Sequence, residues 1–71
     1  MQSGVVKWFN PVKGYGFIAG DDGKDAFVHQ SNILMRGFRI LESGQRVSYR
    51  TEQTEKGNNA VNVSLERVER G

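Results

Sequence analysis

A chain of 71 residues with 37% hydrophobic content and one proline describes a small folded unit, with one core and no room for a catalytic cleft between lobes. Its formal net charge of +2 and isoelectric point near 9.3 permit a polyanion partner but cannot hold one by charge alone. The absence of cysteine excludes disulfide staples and thiolate metal sites and fits a reducing cytoplasm; no apolar run approaches the ~18 residues of a membrane span, and no signal peptide is read at the start.

Residues 1–10 read as a first strand with imperfect alternation. Val6 and Trp8 fall on one face, Lys7 and Phe9 on the other. Putting Val6 and Phe9 inside and Trp8 outside requires a bulge or kink. Asn10-Pro11-Val12-Lys13-Gly14 is a turn, because Pro fixes φ and Gly relaxes it. A second strand follows over 15–20, then a hairpin turn Gly20-Asp21-Asp22-Gly23-Lys24, then a third strand over 25–29.

Strands two and three separate into two faces. Tyr15 and Phe17 share one face, and Gly16 and Ile18 take the other; Asp25, Phe27 and His29 share one face, and Ala26 and Val28 take the other. The small and β-branched set suits the interior of a narrow barrel. The other set carries Asp and His, which are poor core residues, so it is expected to face water. An exposed aromatic sheet surface needs a function. The bland alternative, in which these rings form the core, requires Asp25 and His29 to turn inward with them.

Residues 30–44 show neither helical nor strand period. Ser31–Met35 suits one helical turn, Arg36-Gly37-Phe38-Arg39 looks like a loop tip, and Ile33 and Leu41 are expected to dip into the core. Ser43-Gly44 is a turn. A fourth strand is expected over 45–53 with Val47 and Tyr49 inward, then a polar loop Thr54–Asn59, then a fifth strand over 60–68. There Val61, Val63 and Leu65 share one face, and Asn62 and Ser64 take the other. The charged end 66–71 is expected to fray. Five short strands, two hairpin-like turns and one long crossover predict an all-β chain: a five-stranded antiparallel closed barrel of the oligonucleotide-binding type, forming one domain over 1–71.

Four motifs in order, Lys7-Trp8-Phe9-Asn10, Lys13-Gly14-Tyr15-Gly16-Phe17-Ile18, Phe27-Val28-His29 and Gly37-Phe38, resemble the bacterial cold-shock protein family over essentially the whole chain. The hexapeptide is similar to that family's first ribonucleoprotein motif and Phe27-Val28-His29 to its second. The resemblance implies a non-enzymatic protein that binds single-stranded RNA and DNA on its aromatic face and serves as an RNA chaperone in the cold-shock or general gene-expression response. By the same resemblance Trp8, Tyr15, Phe17, Phe27, His29 and Phe38 would stack on bases, with Lys7, Lys13 and Asp25 as polar contacts around them. It also suggests a mild pyrimidine preference. A monomer in the cytoplasm, without membrane, metal or cofactor, completes the expectation. Three positions depart from the family pattern: Gln30 stands where many members carry an aromatic, Ala26 where Val is usual, and Asn58 where Pro is frequent.

Each role has an ordinary counterpart. Phe38 can anchor its loop instead of a base, Lys7 and Lys13 can be solvated lysines, and Asp25 can serve a turn or strand end. Phe9 reads as core. Gly14 and Gly16 read as positions of special backbone angle or close approach. His29 has no second His or Cys to share a metal and no nucleophile to serve as a base. Two lysine contacts predict a shallow salt dependence for single strands, with a logarithmic slope near about −1.5. A different class of function, a small barrel that grips extended peptides with the same rings, is distinguished by testing peptide against oligonucleotide.

Overall fold

The computed structural model describes residues 2–34 and 41–66. Five strands, β1 (Gln2–Asn10), β2 (Tyr15–Gly20), β3 (Asp25–His29), β4 (Arg46–Thr54) and β5 (Gly57–Leu65), close into a barrel in the order β1-β2-β3-β5-β4. The all-β closed barrel of the sequence reading is therefore the fold. Four of its ladders are antiparallel. The closing β3–β5 ladder is parallel and short, with Phe27 opposite Asn59 and Val28 opposite Ala60. Closure removes the free sheet edges that a small open sheet would expose.

Local chemistry sets the turns. The Asn10 side-chain oxygen accepts from the Val12 and Lys13 amides at 2.9 and 3.0 Å, and Gly14 follows at φ 77°. Asp22 repeats the device in the β2–β3 turn by accepting from the Lys24 amide at 3.0 Å, ahead of which Gly23 sits at φ 86°. That amide also holds the Asp22 carboxyl below its ordinary value.

Ile18, Val28, Val47 and Val63 are fully buried with Val6, Ala26, Ile33, Leu41, Tyr49 and Ala60, and Phe9 packs against this cluster. Ile33 and Leu41 thus enter the core as expected. Burial of each large side chain contributes roughly 1.5–3 kcal/mol. Tyr49 fits because its neighbours are glycines: a Cβ on Gly4 or Gly20 would lie 3.0 or 2.7 Å from the Tyr49 hydroxyl. That hydroxyl is buried and has no hydrogen-bond partner among the described residues. Burial first, and the charges of Asp22, Asp21 and Asp25 after it, raise its pKa above the ordinary 10.0.

The predicted bulge in β1 falls between Val6 and Trp8, at Lys7; Val6 faces Ile18, and Trp8 faces Phe17. It puts Val6 in the core and Trp8 outside on the same strand. A second bulge was not expected. Between Ser48 and Arg50, β5 carries one residue more than β4, and Asn62 takes a left-handed φ of 53°. The bulge shifts the phase of β5: Ala60 and Val63 are buried, Val61 is not, and Leu65 is exposed. The expected single face of Val61, Val63 and Leu65 is thereby corrected. The expected Thr54–Asn59 loop is also tighter than read, because β4 runs to Thr54 and β5 starts at Gly57. Thr54 closes this hairpin by donating to the Gly57 carbonyl at 2.8 Å and accepting from the Lys56 amide at 3.2 Å. The helical turn is a 3-10 turn over Gln30–Asn32, and Ile33 leaves it extended to bridge Val63.

A polar clasp ties the chain after β5 to β1 and β4. Glu66 accepts from the Ser3 and Ser48 hydroxyls, and Arg46 sits 3.4 Å from Glu66 and 2.8 Å from Asp21. The Ser3 hydroxyl first, with Ser48 and Arg46 after it, holds the Glu66 carboxyl below 4.5 against the opposing effect of its partial desolvation. Glu66 is therefore fastened where the sequence suggested fraying.

Candidate nucleic-acid interface

The register of β1, β2 and β3 lays out the site as rows. Trp8 lies opposite Phe17, which lies opposite Phe27, so one residue from each strand forms a transverse row on the outer face. In the next row Asn10 lies opposite Tyr15 and Tyr15 opposite His29. The alternation of β2 and β3 holds throughout: Gly16, Ile18, Ala26 and Val28 are buried, while Tyr15, Phe17, Phe27 and His29 are half-buried. Trp8 is 42% exposed and Asp25 is exposed, so the rings are a surface and the core reading of them fails.

Gly16 permits the row to form. A Cβ there would sit 2.2 Å from the Trp8 carbonyl oxygen and 2.7 Å from the Phe9 Cα, so only glycine lets β1 close on β2 at this level. The four rings then touch in a cycle. Trp8 to Phe17 is 5.6 Å between ring centroids, Phe17 to Phe27 5.6 Å, Phe27 to Tyr15 5.7 Å, and Tyr15 to Trp8 6.0 Å. Interplanar angles from 34° to 74° make these tilted and edge-on contacts. Such pairs stabilise by about 0.5–1.5 kcal/mol beyond area burial, which fixes the rings while leaving faces and edges open to solvent.

The polar residues fall into different situations. Lys7 and Asp25 do not stand apart as two contacts: the Lys7 Nζ lies 3.0 Å from the Asp25 carboxylate, with both side chains 49% exposed. Lys13 is exposed in the β1–β2 turn and makes no ion pair among the described residues. The His29 Nδ1 accepts from the Ser31 amide at 3.2 Å and lies 2.9 Å from the Ser31 hydroxyl, capping the 3-10 turn. In the neutral ring this leaves the proton on Nε2. Phe38 lies outside the described residues. Among the described residues no group of three His, Cys, Asp or Glu side chains is placed to hold a metal ion, and no helix is long and apolar enough to cross a membrane.

One part of the surface was not legible beforehand. The β4–β5 hairpin stands beside the aromatic rows, and Phe17, Asp25, Phe27, Lys56, Asn58 and Asn59 border a groove of about 810 Å³. Asn59 enters because it is the register partner of Phe27. The polar run Thr54–Asn59 gave no sign of this, since only the barrel closure brings β5 beside β3.

Comparison with known proteins places this geometry in a family. The model of the 'Cold-shock' DNA-binding domain matches residues 2–66. Cold shock protein 1 of Lactiplantibacillus plantarum is 54% identical over 63 residues, covering 89% of this chain and 96% of the relative. Cold shock protein CspC of Bacillus subtilis is 51% identical over 63 residues, with the same coverage. The major cold shock protein of Streptococcus pyogenes is 47% identical over 64 residues, covering 90% of this chain and 96% of the relative. Among solved structures, drosophila Unr CSD456 superposes with a TM-score of 0.76 at 16% identity; the match covers 93% of this chain and 26% of that one, and shows the fold alone. With its matched span, its barrel and these relatives, the chain belongs to the cold-shock DNA-binding domain family, whose members are non-enzymatic nucleic-acid-binding proteins.

Proposed function

We propose that this protein binds single-stranded RNA and DNA by stacking successive bases on Trp8, Tyr15, Phe17 and Phe27, and that it acts as an RNA chaperone. The observation that carries this reading is the cycle of four half-exposed rings at 5.6–6.0 Å spacing on one outer face. Stacking contributes roughly 1–3 kcal/mol per base and accepts any base, because every base has a π-face. A duplex hides those faces, so the protein selects unpaired strands. Binding them withdraws strands from weak RNA structure by mass action. His29 extends the stacking surface, Phe38 is a further stacking residue by the family resemblance, and Lys7, Lys13 and Asp25 provide polar contacts. A monomer acting in the cytoplasm, with a mild pyrimidine preference, completes the proposal.

Trp8, the single tryptophan, supplies the test. A short pyrimidine-rich single strand is titrated into the protein while Trp8 fluorescence is followed, and the matching duplex and extended peptides are run beside it. Strong quenching by the single strand and little by the duplex is expected. Quenching by peptides alone would replace this reading with a peptide-binding one.

A further inference from the structure

The β1–β2 turn, residues 11–14, adjoins the second row of the aromatic face and is firmly held. Asn10 and Tyr15, which flank it, are register partners, and Tyr15 in turn lies opposite His29. Pro11 fixes one backbone angle of the turn. The Asn10 side chain accepts from the Val12 and Lys13 amides, and the Gly14 amide donates to the Asn10 carbonyl at 2.7 Å. From the 3-10 turn, the Gln30 amide donates to the Gly14 carbonyl at 2.7 Å. The Gln30 side chain lies so close over Gly14 that a Cβ there would meet it at 2.8 Å. The turn is therefore a fixed projection at one end of the rings.

Its tip is apolar. Val12 is 93% exposed, whereas Val6, Val28, Val47 and Val63 are buried and Val5 and Val61 half-buried. A single apolar side chain on a surface is ordinary. Valine, though, has no turn chemistry of its own, and this one gains almost no burial, so neither local geometry nor packing calls for it. What sets it apart is its mounting on a braced turn next to a ring surface, with the exposed Lys13 beside it.

We propose that Pro11 and Val12 form a separation ridge for the junction between single and paired strand; this inference rests on the stacking reading above. The rings hold one strand of a frayed stem, and Val12 stands against the closing base pair, where the partner strand would otherwise re-form the next pair. Apolar side chains that press between bases unstack them in this way. Stems are then opened at their ends by contact, in addition to the withdrawal of strands by mass action. The ridge stands at one end of the rings only. A strand bound in one direction therefore brings the stem to Val12 when its single-stranded tail has one polarity, and carries the stem away from Val12 when the tail has the other.

The test uses a short stem labelled with fluorophore and quencher on its two strands, carrying a pyrimidine tail on either the 5′ or the 3′ side. The unmodified protein is expected to open one of the two more readily. Val12→Ser leaves the fold intact, because the side chain is almost wholly exposed, and a thermal melt verifies this. The variant is expected to bind the free tail as before, by Trp8 quenching. It should need about 3- to 10-fold more protein to open the favoured stem, so that the two tails become alike. Val12→Ile keeps the preference. Equal opening of both stems by the unmodified protein overturns the inference, and so does a Val12→Ser variant that opens them as before. Loss of tail affinity by Val12→Ser in proportion to its loss of opening overturns it as well, because Val12 is then an ordinary contact of the single strand. Absence of Trp8 quenching by the tail in the unmodified protein overturns the stacking reading itself; quenching with any of the three preceding outcomes overturns this inference alone.

Discussion

The interior of the barrel and the outer face of β1–β3 divide the side chains against size. Inside stand valines, alanines, two isoleucines and a leucine, with Tyr49 the one fully buried ring among the described residues. Outside stand Trp8, Tyr15, Phe17 and Phe27. A narrow five-stranded barrel is filled by β-branched residues, so the interior has little space for more rings. The outer face accepts them at the expense of stability: a large side chain yields roughly 1.5–3 kcal/mol only when fully buried, and a domain of this size has about 3–5 kcal/mol in total. Interior packing thus sets whether the protein folds, and the outer face is available for a ligand.

The division breaks down if the two sides respond alike to truncation. The largest effect is expected inside: Ile18→Ala should cost about 2–5 kcal/mol of stability, enough to unfold much of the population, as denaturant titration would report. Next comes Phe17→Ala on the same strand, one residue away and on the other face. It should weaken binding of a short single strand by at least ~1 kcal/mol while the cooperative melt survives. Unfolding of Phe17→Ala with its binding otherwise unaffected would make Phe17 a core residue and erase the distinction.

Smaller effects sharpen it. Tyr49→Phe removes a buried hydroxyl that has no partner among the described residues, and should raise stability by about 1 kcal/mol, or some 4–8 °C in melting temperature. The pKa of Tyr49 is raised on folding, so the folded state retains this proton more tightly than the unfolded state does. The associated stability is complete below about pH 10 and lost as pH rises through the folded value. Tyr49→Phe should flatten that alkaline decline, and an unchanged alkaline limb would remove Tyr49 as its source. The smallest effect lies at the clasp. The Glu66 carboxyl titrates below 4.5 in the folded state, so its contribution is present above that value and lost as pH falls through the folded one. Ser3→Ala removes the leading cause of the shift and should reduce the acid sensitivity of the melt between pH 5 and 2 by a small but measurable amount.

Legibility followed regularity. β2 and β3 alternate without interruption, so their faces, and with them Tyr15, Phe17, Phe27 and His29, were readable from the sequence. β1 was readable because its alternation visibly failed, which demanded a bulge near Lys7. β5 misled for the opposite reason: Val61, Val63 and Leu65 alternate cleanly, yet the bulge at Asn62 shifts them out of phase. Asn tolerates positive φ better than most residues, but it does so without the mark that Gly leaves in a sequence. The ion pairs were hidden as well. Lys7 reaches Asp25 across the intervening β2, and Arg46 of β4 reaches Asp21 in the β2–β3 turn, so no local pattern announces either pair.

The short parallel ladder between β3 and β5 has a consequence for how the molecule assembles. The ladders β1–β2, β2–β3 and β4–β5 join strands adjacent along the chain, whereas β1–β4 and β3–β5 must gather distant segments. Local ladders close small loops and form early; distant ones carry the larger entropic cost and form late. Trp8, Tyr15, Phe17 and Phe27 all belong to the local meander of the first 29 residues. During synthesis, that meander leaves the ribosome before the strands that complete the barrel, so the ring surface is laid out in outline while the core beneath it still awaits β4 and β5.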